Sequence, residues 1–198
     1  MSQQQTVMEI IQQYIIPVAM GVSLSACCGF RVFVPLLIGG LAAKAGYLPL
    51  SSGFEWLGSW PAIICFAAAS VAEIASYYIP VVDNILDTIT TPSAVVTGTV
   101  LSASVFTEFD PTTKWILAAI AGGGAAGMIQ AGTGLLRLGS TKLTAGVGNH
   151  AVSTAENAFS VGGSILALLL PVIMFVVIVV AVIVVIYYLL FRRRKAKA

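Results

Sequence analysis

Residues 171–191 read PVIMFVVIVVAVIVVIYYLLF and hold no charged side chain, and four basic residues follow them at once, Arg192 to Lys195. An apolar run of about 20 residues matches the roughly 30 Å hydrocarbon core of a bilayer. A basic cluster beside such a run is typical of the cytoplasmic end of a span. This stretch therefore predicts a membrane helix followed by a basic cytoplasmic tail, residues 192–198.

The composition extends this prediction to the whole chain. Of 198 residues, 58% are hydrophobic and only 9% are charged, so we expect one integral membrane domain, residues 1–191, in contact with the lipid bilayer. The tail supplies half of the ten basic residues, and it accounts for most of the net charge of +2. A nucleic-acid partner would need basic residues spread over a face, so we expect none.

The reactive side chains give little sign of a metal site, a cofactor or an enzyme. Cys27, Cys28 and Cys65 lie in apolar surroundings without CxxC spacing, which favours buried thiols. His150 is the only histidine, and a surface or hydrogen-bonded role is commoner for it than metal ligation. HExxH and GxSxG are absent, so we expect no catalytic residues. The N-terminus lacks the features of a removable signal peptide.

The apolar segments predict an all-α, polytopic transmembrane bundle with broken helices and about six spans. Proline at or near the first position marks three helix starts, at Pro61, Pro92 and Pro111. As one helix, residues 151–191 would be about 60 Å long, so they must kink, split or protrude. The expected spans are 6–24, 26–44, 61–79, 92–107, 113–136 and 151–191. If Pro171 only kinks the last span, both termini are cytoplasmic, but Arg137 and Lys142 are then external, against the positive-inside rule.

A first polar segment carries Glu73, Asp83 and Asp87. Glu73 lies about 18 Å into the span that begins at Pro61, where an isolated charge costs at least a few kcal/mol. Asp83 and Asp87 share a helix face, where a cation, a proton or a basic partner would relieve their repulsion; the alternative is an ordinary solvated loop. Arg31, between apolar residues, either snorkels to the interface or pairs with Glu73, Asp83 or Glu156.

A second polar segment gives one helix an almost wholly polar edge. Asn149, Ser153 and Glu156 follow i, i+4, i+7 spacing, and Asn157 belongs to a parallel row with His150. Ser153 and Glu156 also fit a capping box, which would only start the last helix. Both interpretations stay open.

Glycines 122–124 and 127, followed by Gly132 and Gly134, form a face suited to close helix contact. The contact is either internal or between the subunits of a homo-oligomer. A phosphate-binding loop is disfavoured because the Walker pattern is absent.

Three segments resemble a known family: GFRVFVPLL at 29–37, VAEIASYYIPVVDNILDTITTP at 71–92 and GVGNHAVSTAENAFSV at 146–161. From about Ser25 to the tail, the chain is similar to the bacterial membrane family called domain of unknown function 4126. The resemblance implies a multi-pass protein of the bacterial cytoplasmic (inner) membrane, and it implies no activity. The chain departs from the family pattern at Tyr77-Tyr78, where a charged pair is expected, and at Asn157, where an acid is expected.

The two polar segments have a similar layout, which suggests an inverted repeat with halves at about 6–107 and 108–191. The favoured function is a small secondary transporter or channel-like protein that moves a cation, proton or small solute through a polar core. The alternative is a non-transporting membrane component that binds a lipid headgroup or a protein partner. The residues assigned to the polar core are Glu73, Asp83, Asp87, Asn149, Ser153, Glu156 and Asn157.

Overall fold

The computed structural model describes residues 3–77, 80–144 and 148–195, with the side chains of 3–4, 80–88, 185 and 188–195 left out. This part of the chain is helical and contains no strand, which confirms the all-α prediction. The seven helices of the described ranges are α1 (3–28), α2 (Phe33–Lys44), α3 (Trp60–Ser76), α4 (Pro80–Val105), α5 (Pro111–Thr144), α6 (Asn149–Leu169) and α7 (Pro171–Lys195).

Apolar helices indicate a membrane protein. Among the described residues, three are long and apolar enough to cross a bilayer: Gln5–Cys28, Pro111–Thr144 and Asn149–Leu169. Shorter apolar helices are Phe33–Lys44, Trp60–Ser76, Ile89–Val105 and Pro171–Val184. The predicted count of six spans is not confirmed.

Two of the three proline-marked helix starts are confirmed. Ser59 accepts a hydrogen bond from the Ala62 amide at the start of α3, and Asp110 caps α5 by accepting from the amides of Thr112 and Thr113. Hydrogen bonds from the side chain and amide of Thr113 hold the pKa of the exposed Asp110 below its usual range.

The predicted start at Pro92 is wrong, because α4 begins at Pro80 and continues through Pro92. A proline inside a membrane helix removes one hydrogen bond, but neighbouring helices and local adjustments can hold the turn together. Residue type alone does not reveal that support.

The long C-terminal segment splits. Leu170 leaves the helical conformation, with φ −136° and ψ 63°, and Pro171 starts α7. A Cβ on Gly163 of α6 would lie 3.0 Å from the Met174 side chain of α7, so the two helices pack together near their junction. Further along, Val182 and Ile186 line a groove with Met128–Leu135 of α5. The helix α7 therefore turns back and runs antiparallel to α6.

Contacts show that α1 and α2 form a hairpin. Tyr14 of α1 packs against Phe109, with ring centroids 5.4 Å apart, beyond the last turn of α4. A Cβ on Gly39 of α2 would lie 3.4 Å from Leu101, in that same last turn. The turn of the hairpin, residues 29–32, lies at the opposite end of the bundle, which we call the Arg31 end. The end that contains Tyr14 and the start of α5 is called the Lys114 end.

Close packing of α4 against α5 confirms an internal contact for part of the glycine face. A Cβ on Gly98 of α4 would lie 2.7 Å from Ala126 and 3.1 Å from the Gly122 carbonyl oxygen, so the backbones nearly touch. In contrast, a Cβ on Gly132 or Gly134 would meet nothing within 4 Å. The homo-oligomer remains a prediction for that open side.

Successive helices alternate in direction, so the start of α1 and the end of α7 lie at opposite ends of the bundle. The prediction that both termini share one side is therefore wrong. Its premise was that Pro171 only kinks the last helix, whereas the helix splits there and α7 returns. The alternation also places Lys142 at the same end as the last turn of α7.

Candidate functional site

Arg31 is the centre of a buried polar cluster in the hairpin turn. Its Nε donates to Asn157 Oδ1 at 2.5 Å, and its Nη2 donates to the Ser153 carbonyl at 3.2 Å. Its Nη1 lies 3.3 Å from Glu156 Oε2. The side chain is fully buried, so the snorkelling interpretation is wrong and the predicted pair with Glu156 is confirmed.

Arg137 of α5 pairs with the same carboxylate, because its Nη2 donates to Glu156 Oε2. The sequence suggested an external position for Arg137, and this is wrong. The predicted span ended at 136, but α5 continues to Thr144 and turns position 137 into the bundle, where Arg137 is buried. The carboxylate of Glu156 thus joins two guanidinium groups from different parts of the chain.

Tyr77, at the end of α3, lies against both arginines. The guanidinium carbons of Arg31 and Arg137 are 3.9 and 4.1 Å from the centroid of its ring, within the range of cation–π attraction. Its hydroxyl lies 3.2 Å from Thr90 Oγ1, which accepts from Gln130 Nε2 at 3.1 Å. The ring thereby links the arginines to α4 and α5.

Glu73 caps the N-terminus of α2. Its Oε1 accepts from the Val32 amide at 2.8 Å, and its Oε2 accepts from the Phe33 amide at 3.1 Å. The first amides of a helix lack partners in the helix itself, and its N-terminus attracts negative charge. The Glu73 carboxylate therefore has hydrogen-bond donors for both of its oxygens, and the first of them, the Val32 amide, directly follows Arg31. These two bonds hold the hairpin turn in place. We call Arg31, Glu73, Tyr77, Arg137, Glu156 and Asn157 the Arg31 cluster.

The structure brings together four of the predicted site residues, Glu73, Ser153, Glu156 and Asn157, around Arg31. Asn149 is half-buried at the junction of α5 and α6, where its Nδ2 donates to Thr141 Oγ1 at 2.9 Å. Asp83 and Asp87 belong to the first turns of α4, but their side chains lie outside the described residues. Residues 146 and 147, the first two of the segment 146–161, also lie outside them.

The capping-box interpretation is wrong, because α6 begins at Asn149, which puts Ser153 and Glu156 inside the helix. His150 is exposed, and within the described ranges no group of three or more His, Cys, Asp or Glu side chains could hold a metal ion.

Sequence reasoning missed Arg137, Tyr77, Thr90 and Gln130. A signal was present for two of them, because Gln130, Thr133 and Arg137 follow i, i+3, i+7 spacing and all three are buried. The same helix begins with a glycine-rich stretch, so its sequence was interpreted only as a surface for helix packing. Tyr77 carries no comparable signal, since its role depends on arginines distant in the sequence.

Buried hydroxyls continue from the cluster toward the Lys114 end. Ser160 of α6 donates to the Cys27 carbonyl at 3.4 Å, and Ser25 of α1 lies 2.7 Å from Ser102 of α4. Near the far end, the Ser104 carbonyl accepts from the Ser51 amide, and Ser51 Oγ accepts from Lys114 Nζ. Small hydroxyl residues are common in membrane helix contacts, so packing explains part of this row. The hydroxyls form separate contacts, because Ser160 reaches α1 from α6 whereas Ser25 faces α4.

The fold and the cluster define a class, the all-helical membrane proteins with ionisable side chains buried between their helices. Within this class, the chain belongs to the family described as Domain of unknown function (DUF4126), whose sequence model matches residues 18–192. No curated protein and no solved structure matches the chain.

Proposed function

We propose that this protein is a small secondary transporter or channel that moves a cation or a proton between its helices. One observation carries the proposal: Arg31, Glu73, Arg137 and Glu156 converge in an apolar bundle, each at most 7% exposed. Buried ion pairs are costly, and apolar side chains often pack as stably in their place. Ionisable groups buried between the helices of membrane proteins often mark ion or proton paths.

The carboxylates of the cluster favour a cation or a proton over an anion. A carboxylate can take up and release a proton or bind a cation, whereas a guanidinium group stays charged. Asp83 and Asp87 belong to the first turns of α4 at the same end of the bundle. Lys142 belongs to that end as well, so the carboxylates, and not a charge count, indicate the sign of the solute.

The hairpin turn is the moving part in this proposal. Glu73 accepts from the amides of Val32 in the turn and of Phe33 just after it, and Arg31 within the turn donates to α6. Protonation of Glu73 would remove acceptor capacity from those amides and weaken its attraction to Arg31. We propose that this loosens the turn and the contacts that close the bundle at the Arg31 end.

Glu73→Gln tests the proposal with little change in shape. We expect at least about tenfold slower flux in proteoliposomes, because glutamine cannot take up and release the proton. The flux is followed with a pH dye inside the vesicles while each alkali cation is supplied in turn. The matched control is Glu108→Gln, which changes an exposed carboxylate in the same way. Equal flux in wild type and Glu73→Gln would refute the assignment.

The alternative, a non-transporting component that binds a lipid headgroup or a protein, has one observation in its favour. Glu73 accepts from two amides and Glu156 pairs with two arginines, so neither carboxylate needs a transported ion to balance it. Unchanged flux in Glu73→Gln, with the protein still folded, would move the conclusion to this alternative.

The distribution of basic residues predicts the orientation. Lys142 and residues 192–195 at the end of α7 belong to the Arg31 end, whereas Lys44 and Lys114 belong to the other end, so the positive-inside rule favours a cytoplasmic Arg31 end. In a Cys65→Ser background, we expect Glu9→Cys to react with an impermeant maleimide outside intact cells. Lys142→Cys should react only after permeabilisation. The reverse pattern would invert the orientation, and labelling of both in intact cells would contradict the seven-helix path.

A further inference from the structure

A separate cavity of about 420 Å³ opens at the Lys114 end, far from the Arg31 cluster. It lies between the C-terminus of α2 and the N-terminus of α3, and its lining includes Lys44, Glu55, Ser59, Leu48 and Leu50. It is an open depression of the surface, so it can hold a headgroup from one side.

The wall of this cavity is a fixed part of the fold. The loop between α2 and α3 buries Leu48 and Leu57 in the core. The Ser51 amide of this loop donates to the Ser104 carbonyl at 2.7 Å, and Phe54 packs on Trp115 with ring centroids 5.9 Å apart. Glu55 is held as well, because its Oε2 accepts from the Gly53 amide at 2.9 Å.

Exposed aromatic side chains belong to the same loop and to the start of α3. Tyr47, Trp56 and Trp60 are 81%, 51% and 60% exposed. Trp and Tyr are enriched at the headgroup level of membranes, so this loop is suited to the headgroup level. The ammonium of Lys44 lies 4.5 Å from the centroid of the Trp60 ring, within the range of cation–π attraction.

We propose that this cavity binds the headgroup of a zwitterionic phospholipid. Lys44 takes the phosphate and Glu55 takes the ammonium group. This site stands apart from the transport path, and it needs only that the chain lies in a membrane.

Native mass spectrometry of the full chain in detergent tests the site. The ligand is short-chain phosphatidylethanolamine, compared with phosphatidylglycerol of equal chain length and with free phosphoethanolamine. We expect Lys44→Gln and Glu55→Gln each to weaken phosphatidylethanolamine binding about tenfold, since each loses one charge-assisted contact. Lys142→Gln is the matched control at the opposite end, and it should bind as wild type does.

Three results would overturn the proposal. Equal affinity for phosphatidylglycerol, unaffected by Glu55→Gln, would reduce the site to an anion contact of Lys44. Equal losses in Lys142→Gln would indicate non-specific charge attraction. Free phosphoethanolamine bound as tightly as the lipid would make a soluble compound the ligand. Glutamine at position 55 can still accept from the Gly53 amide, so the loop should remain folded in the variant.

Discussion

Glu156→Gln is expected to destabilise the protein by about 3–5 kcal/mol, the usual cost of removing one partner of a buried ion pair. Arg31 and Arg137 both reach Glu156 Oε2, so the substitution leaves two buried guanidinium groups without their shared carboxylate. The free energy of unfolding is measured in mixed micelles with an increasing fraction of denaturing detergent. Glu108→Gln, an exposed carboxylate, serves as the control and should change stability by less than about 0.5 kcal/mol.

A double-mutant cycle separates the pair from its surroundings. Arg31→Gln alone should also be destabilising, because Asn157 Oδ1 and the Ser153 carbonyl lose a charged donor. The double variant Arg31→Gln with Glu156→Gln should lose about 1–3 kcal/mol less unfolding free energy than the two single variants lose in sum. Additivity within about 0.5 kcal/mol would contradict a direct interaction between the two side chains.

Stability and flux together distinguish a structural cluster from a working one. If the cluster only holds the helices together, flux in proteoliposomes falls in proportion to the folded fraction of each variant. If it forms the path, Glu73→Gln loses flux while staying folded. Glu73→Gln suits this comparison because its oxygen can still accept from one of the amides of Val32 and Phe33.

The sequence revealed polar residues but could not reveal most of their partners. Glu73 and Glu156 are visible because each interrupts an apolar helix pattern, and the cost of burying a charge then predicts a site. Arg31 contacts Ser153 and Asn157 across more than 120 positions of the chain. No local spacing in the sequence encodes a contact of that kind. The sequence therefore left the partner of Arg31 undecided among Glu73, Asp83 and Glu156.

The helix boundaries show the same limit. Pro61 and Pro111 start helices because a capping side chain precedes each, whereas Pro92 lies within a helix that had already begun at Pro80. Whether Pro171 kinks or splits a helix depends on what packs beside it. Whether Pro171 kinks or splits the helix decides both the span count and the side of each terminus. The predicted count of six spans is therefore not confirmed, and the prediction that both termini share one side is wrong.

Gly29→Ala is expected to destabilise the fold by about 3 kcal/mol, at the upper end of the usual range for overpacking. Gly29 is the first residue of the hairpin turn, directly after α1, and a methyl group there would overlap the Ala126 carbonyl oxygen and lie 2.9 Å from the Gln130 amide nitrogen. Backbone atoms of α5 cannot rotate aside as a side chain can, so α1 and α5 must separate. Unfolding in mixed micelles measures the loss.

The matched control is Gly132→Ala on the open side of α5, where a Cβ meets nothing within 4 Å. Alanine is the better helix former, so this variant should be neutral or more stable by up to about 1 kcal/mol. Separation of α1 from α5 would also draw Arg31, two residues beyond Gly29 in the hairpin turn, away from Arg137 and from their shared partners Glu156 and Tyr77. Gly29→Ala should therefore slow flux as well, even in the fraction that remains folded. Equal stability of the two glycine variants would contradict the close approach of α1 and α5 on which the position of the Arg31 cluster depends.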